Sequence, residues 1–100
     1  MVQRTRKVNW SSKAKSQKKE ILKYWINRNK SNLYSKKLNT LFNEKAIAVS
    51  ENPFIGRKTK FEDVRVVIVR DNLMIYKIFE ENILIVSIWE GHQNPENLEI

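Results

Sequence analysis

Pro53-Phe54-Ile55-Gly56-Arg57 divides this 100-residue chain into two parts that differ in hydrophobic period. Before the motif, apolar residues recur about every three to four positions, which is the period of an amphipathic helix. After it, β-branched and apolar residues run in short segments over residues 64–70, 73–79 and 83–89, which is typical of strands. Proline ends a helix, glycine permits a positive φ, and Arg57 is then left on a loop. The sequence therefore predicts a helical part, a chain reversal and a small sheet.

The helical part contains two apolar stripes separated by a polar stretch over residues 27–32. Ser11 and Ser12 offer an N-cap for a first helix. Its stripe consists of Ala14, Ile21, Leu22, Trp25 and Ile26, and the second stripe consists of Tyr34, Leu38, Leu41, Phe42 and Val49. Because the residue before a proline disfavours helix, the second helix should end near Ser50. Two adjacent helices with facing stripes predict a helical hairpin.

The strand segments predict a three-stranded antiparallel meander. Asp71-Asn72 and residues 80–82 are its turn candidates. Lys7-Val8-Asn9-Trp10 alternates polar and apolar residues and predicts a further strand that joins the sheet edge. Both faces of the meander carry apolar residues, so the sheet should pack on the helices and curve around a small second core. The expected fold class is α+β, with residues 1–100 in one domain.

The composition limits the kinds of function. Lys and Arg number 19 against 11 Asp and Glu, and the net charge of +8 favours a polyanionic or acidic partner. The chain has no cysteine, which excludes disulfides and thiolate metal sites and agrees with a cytoplasmic location. We find no membrane span or export signal, no Gly-rich phosphate loop and no metal-ligand spacing, and we expect neither a cofactor nor a metal.

Five cations lie at the end of the dividing motif and shortly after it. They are Arg57, Lys58, Lys60, Arg65 and Arg70. Cations on a loop beside a cationic strand can hold phosphate oxygens, and arginine is favoured for bidentate contact. The alternatives are an ordinary solvated connection and, for Arg65, an ion pair with Glu62 or Asp63.

Tyr76 and His92 are the other candidate site residues. Tyr76 shares a face with Met74 and Ile78, so its hydroxyl either contacts a target or caps an apolar layer. His92 is the only histidine and has an ordinary pKa near neutrality, which makes it the candidate for proton transfer. Glu90 would point to the same side and could pair with it. The alternative is a simply exposed histidine.

The order of these pieces resembles the RelE/ParE superfamily of toxins, which includes plasmid stabilisation proteins. The resemblance spans residues 8–98. Its most specific pieces are Pro53-x-x-Gly56-Arg57, the strand that carries Arg65, Ile75-Tyr76-Lys77-Ile78, and Asn94-Pro95-x-x-Leu98.

The resemblance implies the toxin of a type II toxin–antitoxin pair, neutralised by a small antitoxin that we expect to be acidic. RelE-like members cut mRNA on the ribosome, whereas ParE-like members poison DNA gyrase. In a metal-independent endoribonuclease, Arg65 would contact the phosphate and His92 would be the acid or base. Arg57, Lys58 and Lys60 would line the same groove.

Glu90-Gly91-His92 stands where many relatives have His-Gly-Arg, and the Pro53 motif looks closer to the ParE-like side. We therefore predict a ParE-like toxin that acts on gyrase or another macromolecule, with the RelE-like endoribonuclease as the alternative. A third hypothesis is a non-toxic nucleic-acid-binding module that uses the lysine-rich first helix, which is otherwise a solvated face. The sequence leaves open whether the chain forms a homodimer.

Overall fold

A computed structural model describes residues 5–91 of the chain. Its elements are β1 (Lys7–Trp10), α1 (Ser12–Asn29), α2 (Leu33–Glu51), β2 (Arg57–Lys58), β3 (Val64–Val69), β4 (Asn72–Ile78) and β5 (Asn82–Glu90). A 3₁₀ turn over Pro53–Ile55 joins α2 to β2. The N-terminal strand, the helical hairpin and the meander are confirmed, and the short strand β2 was not predicted. Neither helix in this part of the chain is long and apolar enough to cross a membrane.

The strands form one sheet in the order β1-β5-β4-β3-β2. β1 lies parallel to β5, and the other neighbours are antiparallel. The first strand thus joins an edge of the sheet as predicted. The first hairpin turn lies one residue earlier than predicted, at Arg70 and Asp71, because Asn72 already pairs with Val69. The Asn72 side chain also donates a hydrogen bond to the Val69 carbonyl oxygen at 3.3 Å.

Apolar residues fill both faces of the sheet. The main core lies between the helices and the sheet, and residues such as Leu38, Phe42, Met74 and Tyr76 form it. A second cluster on the other face consists of Val64, Val66, Leu73 and Ile75, with Phe61, Val86 and Trp89 packed against it. The predicted second core is therefore present. Ile26 does not belong to the core as its spacing suggested: it is 40% exposed.

The start of α1 is fixed to a bulge in β5. Ser11 is the N-cap, as predicted, and its hydroxyl accepts a hydrogen bond from the Ala14 N–H at 2.9 Å. The same hydroxyl donates to the Val86 carbonyl oxygen at 2.8 Å. Val86 is the extra residue of the bulge, because Ile85 pairs with Tyr76 and Ser87 pairs with Ile75. One serine therefore caps the helix and also ties it to the irregular point of the sheet.

Gln17 makes a second connection between α1 and the bulge. Its Oε1 accepts a hydrogen bond from the Ile88 N–H at 2.8 Å and another from the Ser87 hydroxyl at 3.0 Å. The Ile88 N–H faces away from β4, at an edge of β5 that lies beyond the end of β1 at Trp10, so Gln17 supplies the acceptor for a donor that no strand pairs there. These bonds hold the first turns of α1 against β5.

Candidate functional site

Two side chains from neighbouring strands hold the loop at residues 53–56. The Tyr76 hydroxyl donates a hydrogen bond to the Pro53 carbonyl oxygen at 2.6 Å and accepts one from the Gly56 N–H at 3.0 Å. Arg65, which is opposite Tyr76 in the sheet, donates from Nη1 to the Gly56 carbonyl oxygen at 2.9 Å. We call this arrangement of Arg65, Tyr76 and the loop the latch.

Gly56 is required in the latch for space. We expected the glycine to provide a positive φ, and this is wrong: its φ is −76° and its backbone is extended. A Cβ atom at this position would lie 2.9 Å from Cε1 and 3.0 Å from Cζ of Tyr76, which is closer than carbon atoms pack. Glycine therefore permits the phenol ring to approach the backbone.

Tyr76 is completely buried, with 0% of its surface exposed. It shares the face of Met74, as predicted, and both belong to the main core. Burial raises the pKa of its hydroxyl above the ordinary value of 10.0, and the Gly56 hydrogen bond and the Arg65 charge oppose this rise more weakly. In this structure Tyr76 holds the loop at residues 53–56 from the side of the main core. Direct contact of Tyr76 with a target stays an untested prediction, and the geometry does not favour it.

Arg65 binds backbone rather than carboxylates. Its Nη1 donates to the Phe54 carbonyl oxygen at 3.3 Å as well as to that of Gly56. Its guanidinium carbon lies 5.2 Å from the centre of the Phe54 ring, within the range of a cation–π contact. The structure shows no ion pair from Arg65 to Glu62 or Asp63, both of which lie in the described part of the chain.

A groove lies beside the latch, between the loop at residues 58–63 and the start of β3. It has a volume of about 440 Å³. We call it the cationic groove; its lining includes Lys58, Lys60, Arg65, Phe54 and Phe61, together with the carboxylates of Glu62 and Asp63. Phe54 is 60% exposed. The groove therefore combines positive charge with an exposed aromatic ring, the composition of many macromolecular contact sites.

The loop of the groove is shaped by Thr59. The Thr59 hydroxyl accepts a hydrogen bond from the Phe61 N–H at 3.1 Å and lies 2.9 Å from the Val64 carbonyl oxygen, to which it donates. Lys60 Nζ lies 5.4 Å from the centre of the Phe61 ring. These contacts give the lysine-bearing loop a defined path into β3.

The structure brings together only some of the predicted site residues. Lys58, Lys60 and Arg65 line the cationic groove. Arg57 does not line this groove, although we expected it there. Arg57 and Lys58 are neighbours in β2, where Arg57 pairs with Val66 and Lys58 with Arg65. Because successive residues of a strand point to opposite faces, Arg57 lies on the other face of the sheet from Lys58. Arg70 lies in the hairpin turn at the far end of β3, with φ 56°.

His92 lies outside the described residues, as do Asn94 and Pro95. The proton-transfer role of His92 therefore stays a prediction, and so does its pairing with Glu90, the last residue of β5. No group of His, Asp and Glu side chains suited to a metal ion occurs within residues 5–91.

Phe54 and Phe61 were missed in the sequence. Phe54 directly follows Pro53, the proline that ends α2, so it belongs to no apolar stripe. An aromatic residue at such a position is expected to be exposed, and this could have marked it as a candidate contact residue. Phe61 follows a run of cations and precedes the strand pattern. No periodicity marks either residue, because both lie between regular elements.

Comparison with known proteins adds independent findings. The model of a family described as "ParE toxin of type II toxin-antitoxin system, parDE" matches residues 8–95. The chain is also similar to a solved structure described as "Chromosomal ParDE TA system from P. aeruginosa", with a TM-score of 0.76 and 15% identity. The match covers 88% of this chain and 98% of the other. At this identity the likeness shows the fold. No curated protein matches the sequence.

Proposed function

Because this chain belongs to the ParE toxin family of type II toxin–antitoxin systems, we propose that it arrests growth by binding DNA gyrase, without catalysing a reaction of its own. The RelE/ParE resemblance is confirmed by the family match, and a cognate antitoxin is the partner that neutralises the toxin. We assign gyrase as the target because the resemblance to the ParE-like branch implies it. We place the toxin, its antitoxin and its target in the cytoplasm.

The observation that supports binding over RNA cleavage is the position of Arg65. In the endoribonuclease hypothesis this guanidinium contacts the scissile phosphate. Here its Nη1 is shared between the carbonyl oxygens of Phe54 and Gly56. Moving it to a phosphate would leave the Gly56 carbonyl without its partner, which is costly at a part-buried site. Arg65 is therefore better suited to positioning Phe54 than to following a reacting phosphate.

The cationic groove is the surface that we assign to the target. Lys58 and Lys60 are exposed and contribute two positive charges that steer association with an acidic surface. Phe54 contributes an apolar ring that Arg65 holds in place. Aromatic residues and arginine are enriched at protein interfaces, which favours Phe54 with Arg65 as the centre of this contact.

Charge reversal in the groove tests this assignment. The Lys58→Glu/Lys60→Glu double variant should lose most inhibition of DNA supercoiling by purified gyrase, about tenfold or more in the inhibitory concentration, if the pair contributes on the order of 1.4 kcal/mol. Lys13→Glu/Lys15→Glu is the matched control, because these exposed lysines lie on α1 and change the net charge equally. The control should inhibit nearly as well as the natural chain.

Three outcomes would overturn the proposal. Supercoiling that is unaffected at a saturating dose of the natural chain would remove gyrase as the target. Cleavage of ribosome-bound mRNA, abolished by His92→Ala, would establish the endoribonuclease alternative. Equal loss in the groove variant and in the α1 control would mean that only net charge matters, as expected for a non-specific nucleic-acid-binding module.

A further inference from the structure

A second groove follows the outer edge of β3. Two adjoining cavities of about 360 Å³ and 330 Å³ share Lys45 and Ile68 and together form it. We call it the edge groove; its lining residues are Leu41, Lys45, Ile55, Arg57, Ile68 and Arg70, among others. It lies apart from the cationic groove and shares none of that groove's lining residues.

The backbone of Ile68, in the edge groove, has no hydrogen-bond partner among the residues that the structure describes. The Ile78 N–H donates to the Asp63 carbonyl oxygen, so the odd-numbered residues of β3 bond to β4, and the even-numbered ones face outward. Val66 is opposite Arg57 of β2, and Val64 bonds to Phe61 and Thr59. For Ile68, no hydrogen bond of its N–H or C=O is found within residues 5–91.

The latch explains why this edge is open. In register, Ile68 would be opposite Ile55, but Ile55 belongs to the 3₁₀ turn that Arg65 and Tyr76 hold. β2 therefore begins only at Arg57, and no other strand within residues 5–91 pairs with β3 at Ile68. An unpaired edge of this kind is a template for an added strand.

The side chains around the edge favour an acidic, partly apolar occupant. Ile68 is 50% exposed and Ile55 is 46% exposed. Three cations, Lys45, Arg57 and Arg70, line the groove against one carboxylate, Glu44. A second copy of this chain would bring its own cations against these, which disfavours self-pairing. A helical partner could not use the open backbone groups of Ile68, because its own backbone is already bonded.

We propose that the edge groove binds an extended, acidic segment of the cognate antitoxin as an added strand beside β3. Backbone bonds to Ile68 set the register of that strand. Its apolar side chains contact Ile55 and Ile68, and its carboxylates reach Lys45 and Arg57. The inference rests on the antitoxin partner of the proposed function and not on gyrase, so a negative supercoiling result leaves it standing.

Amide hydrogen exchange in the free chain and in the purified toxin–antitoxin complex tests the added strand. The Ile68 amide should exchange freely in the free chain and at least about tenfold more slowly in the complex. Val67 and Val69 are the internal controls, because their amides already bond to β4 and should be protected in both states. An Ile68 amide that exchanges equally fast in the two states would refute the proposal.

Substitution at Ile68 gives a second measurement. Ile68→Pro removes the outward N–H and leaves the β4 ladder complete, since Ile68 and Leu73 form a pair without mutual hydrogen bonds. It should weaken antitoxin binding about tenfold, whereas Ile68→Val keeps the N–H and should change the affinity less than about threefold. If Ile68→Pro does not fold, the exchange measurement decides alone.

Three further results count against the proposal. Equal affinity of folded Ile68→Pro and Ile68→Val for the antitoxin would show that the backbone of Ile68 is not used. Loss of a dimer of the free chain in Ile68→Pro, with unchanged antitoxin affinity, would identify a second copy as the occupant. Binding that is insensitive to Arg57→Gln and to added salt would contradict the acidic character of the strand.

Discussion

Removal of a single hydroxyl from the latch should destabilise the whole domain. Tyr76→Phe keeps the ring in the core but deletes the oxygen that bonds to both Pro53 and Gly56. Both bonds are buried, so the Pro53 carbonyl and the Gly56 N–H would each be left without a partner. Each unsatisfied group costs about 1–3 kcal/mol, and with both in the lower part of that range, at about 1–2 kcal/mol each, we expect a loss of roughly 2–4 kcal/mol in the free energy of unfolding.

Urea unfolding followed by tryptophan fluorescence measures this loss. A small domain has a total stability of about 5–15 kcal/mol, so the variant should still fold, with a lower urea midpoint and an unchanged slope. Tyr24→Phe is the matched control, because Tyr24 is 48% exposed and its hydroxyl makes no hydrogen bond with the described residues. The control should change stability by less than about 0.5 kcal/mol.

The reasoning fails if Tyr76→Phe is as stable as the Tyr24→Phe control. It also fails if the loss is accompanied by a changed slope, because that would indicate a different folded or unfolded state rather than two missing bonds.

Two further predictions concern the latch, and a third concerns the bonds of Gln17 to β5. The stability that the raised pKa of Tyr76 contributes should be fully present below pH 10.0, the ordinary pKa of tyrosine, and should be lost as the pH rises through the higher folded pKa. Comparison of the urea midpoints with those of Tyr76→Phe, which lacks this contribution, separates the loss from the effects of lysine titration. Gly56→Ala should lose about 1–3 kcal/mol through overpacking against the phenol ring, and in thermal unfolding the Gly56→Ala/Tyr76→Phe double variant should lose less than the sum of the single losses. Gln17→Ala should lower the free energy of unfolding by about 1–3 kcal/mol, because the Ile88 N–H and the Ser87 hydroxyl lose their acceptor. Gln17→Glu keeps an accepting oxygen and should retain most of that stability. A Gln17→Glu variant as unstable as Gln17→Ala would contradict this.

The fold could be predicted because its signals are local and repeated. A 3.6-residue period before Pro53 and strand patterns after it are each carried by many residues, so single exceptions such as Ile26 do not change the result. The Ser11 cap and the end of α2 depend on short-range chemistry that is visible in sequence. The family could also be predicted from the sequence, because its motifs are short local segments that occur in the expected order along the chain.

The candidate site was less predictable because it depends on contacts between distant residues. Gly56 suggested a positive φ from its own chemistry, but its role is set by Tyr76, which is 20 residues away. Arg57 and Lys58 are predicted to line one groove, because no sequence pattern indicates the two-residue strand that places them on opposite faces of the sheet. The Arg65 bonds to loop carbonyls likewise required the folded loop.

The pairing of β1 with β5 has a consequence for the synthesis of this toxin. The first strand completes the sheet only by joining the last one, and the bond from Ser11 to Val86 closes a separation of 75 residues. Closing so long a segment is slow compared with forming a helix or a hairpin. During translation, β1 and α1 leave the ribosome long before β5 exists, so the main core cannot close on the growing chain. The main core can therefore form only after β5 has been synthesised, and until then β1 lacks the strand with which it pairs.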